Sequence, residues 1–151
     1  MTPEQTRAWD RFCRETGEAG TPAFVGAFGD SPELADELLE LILADRKRAT
    51  CALARWYAAQ DLALPQPGDL SLVLDGEGRP RCVIRTTRAE IRPFATGDAA
   101  FARAEGEGDG SFAYWHAAHM EYFSREGDRE GFVFDETMET VFEHFERIWT
   151  A

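Results

Sequence analysis

The sequence predicts one α+β domain. Three observations carry this reading: a helix-start signal at Asp30-Ser31-Pro32-Glu33, a hairpin pattern between Leu70 and Arg88, and a helical aromatic stripe beginning at Ser111. The 151 residues are the usual size of a single domain, and a chain of that size buries roughly two-thirds of its unfolded surface. An apolar fraction of 44% is far from that of a disordered chain, so packed structure is expected throughout.

Residues 3–15 read as a short amphipathic helix, because Trp9, Phe12 and Cys13 share one face and Pro3 suits an early helical position. Gly17, Gly20 and Pro22 break it. In the next helix Asp30 is a capping residue, Pro32 tolerates the first turn, and Glu33 can reach back. Leu34, Leu38, Leu41 and Ile42 then continue at helical spacing to about Ala44.

Residues 62–69 contain Pro65, Pro67 and Gly68 and read as a loop. Leu70–Leu74 is a compact strand, Asp75-Gly76-Glu77-Gly78 a tight turn, and Arg81–Arg88 the returning strand, with Arg85 and Arg88 on opposite faces because their separation is odd. Ala99–Ala104 suits a short helix. From Ser111, Phe112, Trp115, Ala118, His119 and Tyr122 form one helical stripe. Residues 137–149 stay open between helix, by the spacing of Phe142, Phe145, Ile148 and Trp149, and strand, by their Val, Phe and Thr content.

Lys and Arg number 16 against 28 Asp and Glu, a formal net charge of −12, so the average field repels polyanions and disfavours a broad phosphate-tracking surface. Arg46, Lys47 and Arg48 are nonetheless consecutive, and Arg79, Arg81, Arg85, Arg88 and Arg92 are clustered, so a local basic face is compatible with the composition. Cys13, Cys51 and Cys82 form no Cys-x-x-Cys pair and read as reduced, buried thiols. No stretch approaches the roughly 18 apolar residues of a membrane span, and the first residues lack the basic start and apolar run of a secretion signal. A cytoplasmic protein without membrane contact is expected.

Among the candidate sites, Arg46-Lys47-Arg48-Ala49-Thr50-Cys51 leaves the end of an apolar helix, where cations complement the negative end of the helix dipole. That alone accounts for three basic residues. Glu105-Gly106-Glu107-Gly108-Asp109 offers clustered oxygens to a divalent cation, but lacks the alternation of a calcium loop and reads first as a solvated turn. His116 and His119 lie three apart on a helix with no third ligand at matching spacing, so no metal or other cofactor is indicated. Trp56 and Tyr57, close after the Lys47 segment, suit a cleft wall on which a base stacks.

Several segments, taken together and in order, resemble the ASCH domain family. They are the helix-to-strand run Leu41 to Thr50; Pro67-Gly68-Asp69-Leu70 opening a strand; Asp75 to Thr87; Ala104 to Asp109; Ala113 to His119; and Phe142-Glu143-His144-Phe145. The resemblance divides the chain into an N-terminal helix and linker, residues 1–23, and an ASCH domain, residues 24–151, within one compact unit. It implies a PUA-like fold, a small mixed β-barrel flanked by helices, and an association with RNA, through binding or cleavage. Some members resemble a bacterial amidohydrolase that deacetylates N4-acetylcytidine with a Lys, a Thr three residues later and a distant Glu. By motif these fall on Lys47, Thr50 and Glu105, with Glu107 the alternative acid two residues on. Asp45 stands where the family often has Gly, and Arg48 where Thr is frequent.

The residue types make chemical sense. A Lys47 lowered in pKa by partial burial would activate the Thr50 hydroxyl against a carbonyl, with Glu105 as proton shuttle. On RNA, Lys47 would stabilise phosphate charge and Glu105 act as base. Three readings follow. The first is a cleft binding RNA or a nucleotide fragment around Lys47, Thr50 and Glu105, with Arg46, Arg48, Trp56, Tyr57 and Arg85 as further contacts and strand cleavage as its chemistry. The second is a nucleoside amidohydrolase. The third is a non-catalytic module of an RNA-processing assembly.

Overall fold

In a computed structural model that describes residues 1–151, the elements run α1 Pro3–Thr16, β1 Phe24–Gly26, α2 Pro32–Leu43, β2 Ala49–Leu53, α3 Ala54–Ala59, β3 Leu70–Leu74, β4 Pro80–Pro93, α4 Ala99–Glu105, α5 Phe112–Glu130 and β5 Glu139–Thr150. The strands make one mixed sheet in the order β1-β3-β4-β5-β2, with β1 parallel to β3 and the other pairs antiparallel. The sheet curls into a half-barrel flanked by helices, the α+β architecture expected from the sequence.

Period-two alternation assigns the packing. Leu72, Leu74, Val83 and Trp149 meet Trp9 and Phe12 of α1, while Val73, Cys82, Ile84 and Phe145 meet Leu39 and Ile42 of α2. Beside the α1 contact, Ala49, Cys51, Leu53 and Phe142 pack against Phe101 of α4 and against Trp115 and Phe123 of α5. Both faces of the sheet are therefore covered. Residues 1–16 share the core through Trp9 and Phe12, buried to 4% and 0% exposure.

Several expectations are corrected. Ser31, not Asp30, caps α2: its extended backbone brings the hydroxyl to the Leu34 N–H at 3.1 Å, which leaves Asp30 to bind Arg125 and Arg129 of α5. Arg85 and Arg88 lie on the same face, because a β-bulge at Thr87 makes them oppose Glu146 and His144, two apart on β5. Residues 139–150 form a strand, hydrogen-bonded to β4 on one side and β2 on the other. The helix from Ser111 continues to Glu130, and its buried stripe runs through Trp115, His119, Phe123 and Glu126, with Phe112 exposed.

Candidate functional site

α2 ends where Asp45 takes a left-handed conformation (φ 57°), the turn for which a Gly is the usual choice. The amides of Arg46 and Lys47 both reach back to the Leu41 carbonyl, at 2.9 and 3.1 Å, and the chain turns so that the Lys47 side chain points inward, 2% exposed. The end of α4 then docks on this segment. The Arg48 N–H donates to the Ala104 carbonyl at 2.7 Å, and Gly106 (φ 65°) sits so close that a Cβ there would lie 2.2 Å from the Arg46 carbonyl oxygen. Glu105, the residue before that glycine, is thereby placed against Lys47.

Lys47 Nζ donates to Glu105 Oε1 at 2.7 Å and to the Ala49 carbonyl at 2.8 Å. An ammonium has three N–H donors, so one remains. The second oxygen of Glu105 accepts from the Trp115 indole N–H and the Cys51 thiol (3.4 Å), and lies 3.1 Å from His119 Nε2. His119 Nδ1 is 2.8 Å from the Trp115 carbonyl. A carbonyl only accepts, and a carboxylate faces the other nitrogen, so both ring nitrogens carry protons and His119 is an imidazolium.

Ionisation follows from these contacts. Burial alone would raise the Glu105 pKa, but Lys47 and His119 hold it far below the usual carboxylate range. Burial would likewise discharge Lys47, yet Glu105 and Glu107 raise its pKa above the ordinary value. The expected amine base is therefore an ammonium. Burial disfavours the imidazolium of His119, but the Glu105 carboxylate 3.1 Å away raises its pKa well above 6.5. Burial pushes the Cys51 thiol up to about 12, so it stays protonated.

A cavity of 310 Å³ opens beside this cluster. Lys47, Thr50, Glu105, the alternative acid Glu107, Trp56 and Tyr57, all named from the sequence, line it, and Glu143 joins them. The three arginines expected there are elsewhere. Arg46 borders a separate depression with Arg103 and Ser111, Arg48 Nε donates to the Asp45 carbonyl at 2.9 Å, and Arg85 is ion-paired with Glu18 of the α1–β1 linker. The arginine that does line the cavity, Arg125, is bound to Asp30 and Glu121.

Sequence reasoning did not select Cys51, His119, Trp115 or Glu143 for this site. His119 had a signal, since it lies on the apolar stripe of α5 next to Trp115. Glu143 lies in a segment whose sequence leaves helix and strand open, and only the pairing of β5 with β2 sets it opposite Thr50. Cys51, Glu105 and His119 each offer one ligand atom within 4.8 Å of one another, but His119 carries both protons and Lys47 already supplies the cation, so the trio fits a metal ion poorly.

A family model described as the ASCH domain matches residues 24–149. Among solved structures, the chain is similar to a protein from Enterococcus faecalis at 30% identity, with a TM-score of 0.90 over 99% of this chain and 91% of that one. An ASCH domain from Lactobacillus crispatus is 34% identical, with a TM-score of 0.87 over 99% of this chain and 96% of that one. A hypothetical protein at 15% identity and a TM-score of 0.54 shares the fold over 83% of this chain and 98% of its own. No curated protein matches the sequence.

Proposed function

The chain belongs to the ASCH domain family, and from that premise we propose that it is an amidohydrolase acting on a neutral nucleoside acylated at its base, of the N4-acetylcytidine type. One observation supports this above others: a single cavity is lined by Thr50 and by a buried ammonium that has one N–H beyond its bonds to Glu105 and Ala49, with Glu107 Oε2 3.9 Å away, and the rest of its wall is largely apolar and acidic. A volume of 310 Å³ is at the lower end of small-ligand sites. Thr50 supplies the nucleophile, and the free N–H of Lys47 meets the oxyanion that forms when the amide carbonyl is attacked. Glu105 keeps Lys47 charged and aimed.

The RNA readings need cations facing phosphate. Arg48, Arg85 and Arg88 are instead bonded to Asp45, Glu18 and Glu90, and Arg46 faces another depression. The test is to incubate the protein and a Thr50→Ala variant with N4-acetylcytidine and, separately, with single-stranded RNA. The expected outcome is release of acetate and cytidine, reduced on the order of 10³-fold or more in the variant, with RNA left intact. RNA cleavage by the unaltered protein with acetylcytidine untouched would replace this reading by the nuclease, and inactivity on both by the binding module.

A further inference from the structure

Neither member of the buried ion pair can take up the hydroxyl proton of Thr50. Lys47 is already protonated, and Glu105 is locked as an anion by Lys47, His119, Trp115 and Cys51. The sheet supplies another acid. Thr50 of β2 stands directly opposite Glu143 of β5, so both side chains leave the same face of the sheet, and both line the cavity. Directly opposed antiparallel residues have Cβ atoms about 5 Å apart, within reach of a glutamate carboxyl and a threonine hydroxyl. Glu143 is 8% exposed, and its carboxyl is engaged in no hydrogen bond or ion pair with the rest of the protein.

We infer that Glu143 is the catalytic residue that moves protons in this cavity, taking the Thr50 hydroxyl proton during attack and delivering it to the leaving nitrogen. The inference rests on the amidohydrolase reading of the same site. As Thr50 Oγ bonds to the acyl carbon, its proton passes to the Glu143 carboxylate and the carbonyl electron pair moves onto oxygen, beside Lys47. The carbonyl re-forms, the C–N bond breaks, and Glu143 protonates the departing exocyclic nitrogen. Water then attacks the Thr50 ester, gives a proton to Glu143, and the acid leaves as that proton returns to Thr50 Oγ. The sum is amide plus water giving acid plus amine.

The charged and titratable groups facing Glu143 are Asp69 from the loop before β3, Lys47 from the segment before β2, and Tyr57 from α3. Burial first, and Asp69 next, push the Glu143 pKa up, Lys47 draws it down, and it stands at about 7. Burial keeps the Tyr57 hydroxyl protonated. A carboxyl near half-ionised at neutral pH is matched to carrying a proton both ways.

Two measurements on the full chain test the assignment, using the unaltered protein, Glu143→Gln and Glu143→Asp. The first is the pH profile of kcat/KM on N4-acetylcytidine. The expected result is a limb near pH 7 that Glu143→Gln abolishes together with a 10²–10⁴-fold loss of rate, partial recovery in Glu143→Asp, and cytidine affinity unchanged within about threefold as evidence of an intact pocket. A Gln variant that keeps both rate and limb overturns the role.

The second is acetylation of Thr50 by p-nitrophenyl acetate, followed by mass spectrometry. Thr50 should label in the unaltered protein with a rate rising through about pH 7, and on the order of 10²-fold more slowly in Glu143→Gln. Label that depends on Glu143 without turnover of acetylcytidine keeps this role and removes the substrate reading. Equal labelling of the two proteins, or none at Thr50, overturns the role whatever the substrate.

Discussion

Glu105 and Glu143 are both buried acids in one cavity, yet their surroundings drive them apart. Glu105 accepts from cations on two sides and stays ionised, and removing it would strand Lys47 and His119 as buried charges, an arrangement costing about 3–5 kcal/mol. Glu143 meets Asp69 and apolar surface, and its pKa rises from 4.5 to about 7. The folded state therefore binds the Glu143 proton more tightly than the unfolded state does. Its contribution to stability is complete below pH 4.5 and is lost as pH rises through 7, a change of about 3 kcal/mol for a displacement of this size. Glu143→Gln cannot ionise. Its stability relative to the unaltered protein should increase by about 3 kcal/mol between about pH 4 and pH 8, measured as urea midpoints at each pH. A difference that does not change with pH would mean that Glu143 is not a buried acid of raised pKa.

At the scale of elements, the decisive contact is the docking of α4 on the chain leaving α2. Gly106 permits it, since a side chain there would collide with the Arg46 carbonyl and its φ of 65° is strained for other residues. Gly106→Ala should push the end of α4 away from Lys47, destabilising the fold by about 1–3 kcal/mol, and should lower turnover at least tenfold at a temperature where the variant remains folded. Thermal melting and a rate assay on the same sample check this, and full turnover in the folded variant would show that α4 does not aim Glu105.

The major helices and the β3–β4 hairpin were legible in the sequence because caps, turn residues and apolar periodicity agree there. The Thr87 bulge was not, since one extra residue reverses the parity of a strand without any local mark. The short β2–α3 passage, Ala49 to Ala59, was legible only at its start, its alternation resting on the small residues Ala49 and Cys51. β5 became a strand through two neighbours that lie far away in sequence.

Across the whole molecule, a net charge of −12 is combined with arginines that are mostly paired to acids. Activity on a neutral nucleoside should change by less than about twofold between roughly 50 and 200 mM salt, whereas a protein held by several phosphates loses about 10³–10⁵ in affinity over that range. Steady-state rates at both salt concentrations decide between them. Lys47, Thr50 and Glu105 were nameable in advance through an ordered family pattern. Their ionisation states were not, because burial, His119 and the opposing acid at Glu143 arise only when β2, β5 and α5 converge.

The cavity wall draws on residues from Ala23 to Glu143, contributed by segments along almost the whole chain. Such a site cannot persist in a fragment or a partly opened form, so occupancy and global unfolding are thermodynamically linked. A ligand present at 100 times its Kd would raise the free energy of unfolding by about 2.7 kcal/mol. The fold is thus its own reporter: compounds that suit the pocket will announce themselves as resistance to heat before any product is detected.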